Sequence, residues 1–213
     1  VDIDPRTYNL SLLALEEKLT AAQKNGTLPK VLVAVHLCGQ SCDMESIYAL
    51  CQKYNVKIIE DASHAIGGKY KGEYIGNCRY SDITIFSFHP VKILTTGEGG
   101  MALTNSDYLT EKMTLLRSHG ITREERLMTK AADGPWYYQQ VGLGFNYRMT
   151  DIQAALGLSQ MVRLNEYVSI RNNLANRYNE NLGVLSITTP YIEENCYSAF
   201  HLYVVRLQKT KVE

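Results

Sequence analysis

Lys30-Val-Leu-Val-Ala-Val-His-Leu37 decides the fold class of this sequence, because it is a short, unbroken apolar run rich in β-branched residues. Such a run is typical of a strand that is buried on both faces of a parallel sheet. Similar runs follow at Val56 to Ile59 and at Ile83 to Phe88, and Met101 to Thr104 is predicted to be a further short strand. We therefore predict an α/β chain built on a mainly parallel sheet.

Helices are predicted before, between and after these strands, because apolar residues recur there at three- and four-residue steps. On the helix that precedes Ser118, we expect Leu109, Met113 and Leu116 to be buried. A later helical stretch should end at Gly183, and Phe200 to Leu207 is predicted to be a strand. The predicted N-caps of four helices are side chains that accept backbone hydrogen bonds: Ser11, Asp43, Ser106 and Thr150. Alternation of strand and helix predicts a layered sheet with helices on both sides.

Composition excludes several classes of protein. Lys plus Arg and Asp plus Glu both number 22, so the formal net charge is zero and no basic footprint for nucleic acid is present. No apolar stretch approaches the roughly 18 residues of a membrane helix, so we predict a soluble, cytoplasmic protein with no membrane partner. The odd number of cysteines, five, favours reduced thiols.

A zinc site is the alternative use of the first cysteines, since His36, Cys38 and Cys42 lie close together in sequence. A closed zinc site needs four ligands, and no second ligand pair follows, so we predict no metal. His36 is interpreted instead as a core histidine with a satisfied hydrogen bond.

Ligands of open α/β sheets gather beyond the carboxyl ends of the strands, and three polar motifs fall there. Asp61 ends an apolar strand and is either a carboxylate that partners a cation or a residue that ties the loop. Lys92 follows a buried strand and a proline turn, where a desolvated amine can act as a nucleophile, although most lysines are surface residues. Asn146 and Arg148 precede a helix N-terminus, which can bind an anion, and the alternative for Arg148 is a solvated surface residue.

Several motifs in order resemble the pyridoxal-phosphate-dependent sugar aminotransferases of the DegT type. They are Glu60-Asp-Ala-Ser-His-Ala-Ile-Gly67, Ser87-Phe-His-Pro-Val-Lys92, Gly97-Glu-Gly-Gly100, Arg117-Ser-His-Gly120 and Gly144-Phe-Asn-Tyr-Arg-Met-Thr-Asp151. The resemblance implies the three-layer α/β/α fold of fold type I pyridoxal-phosphate enzymes. The large cofactor-binding domain would occupy residues 1–165, and residues 166–213 would begin the small C-terminal subdomain.

Carried over residue by residue, the resemblance implies that Lys92 holds pyridoxal 5'-phosphate as a Schiff base and moves the proton during transamination. Asp61 would pair with the pyridine nitrogen, His64 would lie by the ring, and Ser87 would bind the phosphate. Asn146 would reach the phosphate from the neighbouring subunit, which implies a homodimer with a shared active site. Contacts to a nucleotide sugar are expected from His89, Trp136, Tyr137 and Arg148.

Within the family, the segments at Arg117, Gly134 and Asn146 look most similar to members that aminate C4 of a UDP-linked 4-keto-6-deoxy-N-acetylhexosamine on the pseudaminic acid route, with glutamate as the expected donor. Two alternatives are a sugar dehydratase, in which histidine typically replaces the lysine, and a noncatalytic nucleotide-sugar-binding module. The chain opens on Val1, and family members begin earlier with a glycine-rich phosphate loop. We therefore expect an incomplete gene product that binds the cofactor weakly or not at all.

Overall fold

The computed structural model describes residues 1–208 of the 213-residue chain. Its five helices are α1 (Leu12–Lys24), α2 (Met44–Lys53), α3 (Asp107–Arg117), α4 (Asp151–Met161) and α5 (Leu164–Leu182). The four predicted caps are confirmed, and each accepts a hydrogen bond from a backbone amide in the first turn of its helix. At α4 the cap is a full capping box, in which Gln153 also accepts a bond from the Thr150 amide.

Eleven strands occur in the described chain. They are β1 (Val31–Val35), β2 (Lys57–Asp61), β3 (Lys69–Tyr70), β4 (Glu73–Tyr74), β5 (Ile83–Ser87), β6 (Gly100–Leu103), β7 (Ile121–Thr122), β8 (Gln139–Gln140), β9 (Ile187–Thr188), β10 (Cys196–Tyr197) and β11 (Arg206–Leu207). The main sheet has the order β1-β2-β5-β6, with the first three strands parallel and β6 antiparallel to β5. The predicted parallel sheet is therefore confirmed, and the carboxyl ends of β1, β2 and β5 share one edge.

Register fixes which side chains share a face, because successive residues of a strand point to opposite sides. Ala34 pairs with Glu60, which pairs with Thr84, and this face is buried under the first two helices. The core on this face joins the helices to the sheet through Leu15, Leu19, Met44, Ile47, Cys51 and Ile58. A second core lies at the carboxyl edge and includes Ala62, Phe86, Phe88, Leu94, Leu164 and Val168.

The prediction that the first strand is buried on both faces is wrong. Val31, Val33 and Val35 remain 46%, 50% and 43% exposed, because they point away from the face that α1 and α2 cover. An apolar run does not show which of its faces a neighbouring element will cover. The exposure of these valines therefore could not be predicted from the residues around them.

Two further expectations fail. No residue of α3 is buried, and Leu116 is 47% exposed, so the helical spacing of Leu109, Met113 and Leu116 does not mark a core face here. Of the predicted strand Phe200 to Leu207, only β11 forms, paired with β9. Ala199 and Leu202, which precede β11, instead donate their amides to the carbonyls of Gly39 and Cys38, just after β1. None of the helices in residues 1–208 has the length and apolarity needed to cross a bilayer.

Candidate functional site

Asp61 and Ser87 end neighbouring parallel strands and lie on the same face of the sheet. Asp61 is opposite Ile85, and Ser87 lies two residues beyond Ile85 on the same strand. Both residues are half-buried. One carboxylate oxygen of Asp61 accepts the Ser63 amide at 3.1 Å, and the other has no hydrogen bond within residues 1–208. The edge therefore presents a carboxylate with a free acceptor beside a hydroxyl group.

The loop that carries Lys92 is tied down on both sides. The Phe88 carbonyl accepts the Thr96 amide at 3.0 Å and the Thr95 hydroxyl at 2.9 Å, and the Lys92 amide donates to the His89 carbonyl at 2.9 Å. From α4, the Gln160 side chain makes two bonds to the backbone of Thr95, at 3.0 and 3.2 Å. Lys92, which is half-buried, is thus held at the carboxyl edge of the sheet by a hydrogen-bonded turn.

The charges of Lys92 and Asp61 both act on His64. Burial and the Lys92 ammonium group lower the pKa of His64, and Asp61 acts in the opposite direction. Its ring packs against His201, with the two centroids 4.5 Å apart. Burial, followed by the nearby His64, Lys92 and Arg171, lowers the pKa of His201 to about 4. Lys92, Asp61, His64 and His201 therefore converge at one place.

A close approach of three chain segments builds this cluster. Gly39 has φ +112°, and a Cβ atom there would lie 2.7 Å from the Phe200 nitrogen and 3.0 Å from the His64 carbonyl oxygen. The Gly39 carbonyl accepts the Ala199 amide at 2.9 Å. Only glycine suits this junction, because any side chain would meet backbone atoms and the conformation is left-handed.

Sequence reasoning missed His201 and Arg171. Arg171, on α5, donates to the carbonyls of Phe200 and His201 at 3.0 and 3.3 Å and so fixes the segment. Neither residue sits in a glycine-rich or strand-end motif, so no local signal distinguished them. Their role becomes visible only when residues 199–202 are placed against Gly39.

Apart from the backbone bond between His89 and Lys92, the predicted sugar contacts are not joined to this cluster by hydrogen bonds or ion pairs among residues 1–208. His89 is exposed, with its ring 3.9 Å from the Glu98 carboxylate. Trp136 is 68% exposed, and its ring meets that of Tyr137 edge-on. Asn146 and Arg148 are exposed, and Asn146 forms a backbone bridge with Ser118. Their roles stay predictions.

His36 belongs to a buried polar network centred on Glu60, the residue before Asp61. It is fully buried, and its Nε2 lies 2.8 Å from the carboxylate of Glu60, which also accepts bonds from Ser81 and Thr84. Burial would lower the pKa of His36, but hydrogen bonds with Cys42 and Glu60 outweigh burial and raise it. The interpretation of His36 as a satisfied core histidine is confirmed. Within the described part of the chain, no group of three or more His, Cys, Asp or Glu residues is arranged to hold a metal ion.

Comparison with known proteins identifies the family. The profile of the DegT/DnrJ/EryC1/StrS aminotransferase family matches residues 1–213, and the chain belongs to that family. GDP-perosamine synthase of Caulobacter vibrioides is 40% identical over 209 residues, which are 97% of this chain and 51% of that protein. The UDP-4-amino-4,6-dideoxy-N-acetyl-beta-L-altrosamine transaminase of Campylobacter jejuni serotype O:23/36 is 38% identical over 194 residues, 90% of this chain and 49% of that protein. The chain thus spans about half the length of the curated relatives it matches.

A solved structure gives the same result for the fold and the cofactor. The putative sugar aminotransferase Spr1654 from Streptococcus pneumoniae, in its PLP-form, superposes with a TM-score of 0.81 at 28% identity, covering 98% of this chain and 54% of that one. The expected fold class and the expected cofactor, pyridoxal phosphate, are confirmed.

The residues present fit this cofactor. Pyridoxal phosphate needs an amine for its aldehyde, a carboxylate for its protonated ring nitrogen and donors for its phosphate. Lys92, the free oxygen of Asp61 and the Ser87 hydroxyl are groups of these three kinds at one sheet edge. The assignment of each to its part of the cofactor remains a prediction.

Proposed function

We propose that this chain carries the lysine-centred site of an aminotransferase that transfers an amino group to a nucleotide-linked keto sugar. The observation that supports it most directly is that Asp61 and Ser87 end neighbouring parallel strands on one face of the sheet, and that the hydrogen-bonded loop carrying Lys92 follows at the same edge. An amine, a carboxylate and a hydroxyl group at the end of a parallel sheet match what pyridoxal phosphate requires of a protein.

Each side chain would have a defined task. Lys92 would bind the aldehyde carbon of the cofactor and later hold the proton that moves between the amino donor and the product. Asp61 would pair with the ring nitrogen, Ser87 would donate to the phosphate, and His64 would lie beside the ring. When bound, the cofactor supplies an electron sink for the electrons released as the donor loses its proton. Asp61 maintains that capacity by keeping the nitrogen protonated.

For the substrate, we propose C4 of a UDP-linked 4-keto-6-deoxy-N-acetylhexosamine, with glutamate as donor. The motifs at Arg117 and Asn146 and the likeness to the Campylobacter jejuni transaminase support this choice. The Caulobacter vibrioides relative is named for a GDP-linked sugar instead. Release of 2-oxoglutarate from glutamate, measured with UDP- and GDP-linked keto sugars in parallel, tests the preference, and a faster reaction with the GDP-linked sugar would contradict it.

We further propose a cytoplasmic homodimer in which Asn146 serves the partner's site. The surface around Asn146 and α4 exposes large apolar side chains, which suits an interface between copies: Leu143, Tyr147, Ile152, Leu158 and Val162. Sedimentation of Ile152→Asp beside the parent protein tests this, and we expect a shift from dimer to monomer. A monomeric parent, or a dimer that this charge leaves intact, would contradict the proposal.

Covalent trapping tests the central assignment. The protein is incubated with pyridoxal phosphate over a concentration series high enough to load a weak site, reduced with borohydride and mapped by peptide mass spectrometry. We expect the adduct on Lys92 in preference to Lys57, an exposed lysine on the same sheet. Lys92→Arg should abolish that preference, and Lys57→Arg should leave it unchanged. An adduct spread equally over surface lysines would refute the aminotransferase site and favour the noncatalytic binding module. A dehydratase of this fold would not require Lys92.

A further inference from the structure

We propose that His201 is a positioning residue: clamped by Arg171 and by the backbone at Cys38 and Gly39, its ring packs on His64 and fixes that imidazole with its proton on Nε2. The functional meaning of this arrangement depends on the proposed function, since His64 is assigned to the cofactor there. The arrangement itself is a property of the folded chain.

Cys38 connects the two histidines. Its backbone amide lies 3.3 Å from Nδ1 of His64 and can only donate, so Nδ1 must accept and the proton of the neutral ring resides on Nε2. The Cys38 carbonyl accepts the amide of Leu202 at 3.3 Å. The backbone of Cys38 therefore orients His64 through its amide and anchors Leu202, the residue that follows His201, through its carbonyl.

His201 has little freedom to leave this position. The Ala199 and Leu202 amides bond to Gly39 and Cys38 on either side of it, and Arg171 holds its carbonyl. Its Nδ1 is buried and has no hydrogen-bond partner within the described residues. A polar atom buried without a partner costs free energy, so this ring is kept in place by the surrounding backbone and not by its own polar contacts.

Charge supports the same arrangement. Lys92 and Asp61 act on His64, and Lys92, Arg171 and His64 act on His201. Both histidines have lowered pKa values, so both rings are neutral near pH 7. A neutral His64 with Nε2–H is a donor and can face an oxygen without adding a positive charge beside Lys92.

Nuclear magnetic resonance of the imidazole nitrogens in the cofactor-free protein tests the proposal. In the parent, we expect His64 to show the single Nε2–H tautomer and a titration midpoint below 6.5. In His201→Ala, the single-tautomer pattern should be lost and the midpoint should move up towards 6.5. His201→Phe, which keeps an aromatic ring on His64, should preserve the parent's tautomer. Tyr203→Phe, two residues further on, is the matched control and should change neither quantity.

Two results would overturn the proposal. One is an unchanged His64 tautomer and midpoint in His201→Ala. The other is a His201→Phe variant that behaves like His201→Ala, since packing would then not be what holds the ring. Because no cofactor is added, these outcomes are independent of borohydride trapping on Lys92, and failure of either proposal can be told from failure of the other.

Discussion

Replacing Glu60 by leucine should destabilise the protein strongly, because this carboxylate is the shared acceptor of a buried network. Its side chain is 7% exposed and accepts hydrogen bonds from His36 at 2.8 Å and Thr84 at 3.2 Å, both of which are fully buried, and from the half-buried Ser81. A buried donor left without its acceptor costs about 1–3 kcal/mol. Two such donors give about 2–6 kcal/mol, and the half-buried Ser81 can turn towards water.

That range agrees with the roughly 3–5 kcal/mol lost when one partner of a buried pair is removed. Urea denaturation followed by circular dichroism measures it, and with a slope of about 2 kcal/mol per molar urea the midpoint should fall by about 2 M. Glu73→Leu is the control, because Glu73 makes an exposed ion pair with Arg79. Removing a surface pair of this kind should change stability by no more than about 1 kcal/mol.

The double variant His36→Leu with Glu60→Leu separates unsatisfied polarity from lost packing. Replacing both partners of a buried pair with apolar residues is often close to neutral, so the double variant should lose less than the sum of the two single variants. A loss below about 1 kcal/mol for Glu60→Leu would refute the reasoning. Strict additivity of the two substitutions would refute it as well.

Three further predictions concern the segments around Lys92 and His201. Gly39→Ala should lower the free energy of unfolding in urea by more than about 2 kcal/mol, because the new Cβ meets backbone atoms in a left-handed conformation. Gly72→Ala, with φ +82° and open space around it, should lower it by only about 1 kcal/mol. Equal losses would contradict the predicted clash. The pKa of His201 falls from 6.5 unfolded to about 4 folded, so its stabilising contribution is present above pH 6.5 and is lost as the pH falls towards 4. The decrease in the urea midpoint between pH 7 and pH 5 should therefore be smaller in His201→Phe than in the parent, and an identical decrease would show that another group dominates. Gln160→Ala should lower stability by about 1–2 kcal/mol and reduce borohydride trapping on Lys92, since two hydrogen bonds to the Thr95 backbone are lost. Gln52→Ala, on the exposed side of α2, should change neither quantity. Unaltered trapping in Gln160→Ala would mean that α4 does not hold the loop.

Local chemistry explains what the sequence could predict. Each N-cap accepts the amide of the residue three positions later, so a short stretch of sequence is enough to predict it. The four caps are Ser11, Asp43, Ser106 and Thr150. The parallel strands and the turn that carries Lys92 were predictable for the same reason, because apolar runs and proline turns are short-range signals.

What could not be predicted depends on contacts between distant segments. The exposure of Val33 follows from which face the helices cover, and the burial of Glu60 follows from strand register. His201 was included in a predicted strand, because nothing nearby in sequence shows that Gly39 will receive it. The pairing of His64 with His201 likewise exists only in the folded chain.

The junction at Gly39 also bears on the order in which the molecule is made. Residues 199–202 leave the ribosome last among the segments that surround His64, and closing so long a loop carries an entropic cost before any contact forms. The sheet and the Lys92 turn can assemble earlier from nearer neighbours. The imidazole environment of the site is therefore completed only after residues 199–202 have been made, so a nascent chain halted before Ala199 would contain Lys92 and Asp61 but lack the neighbour that encloses His64.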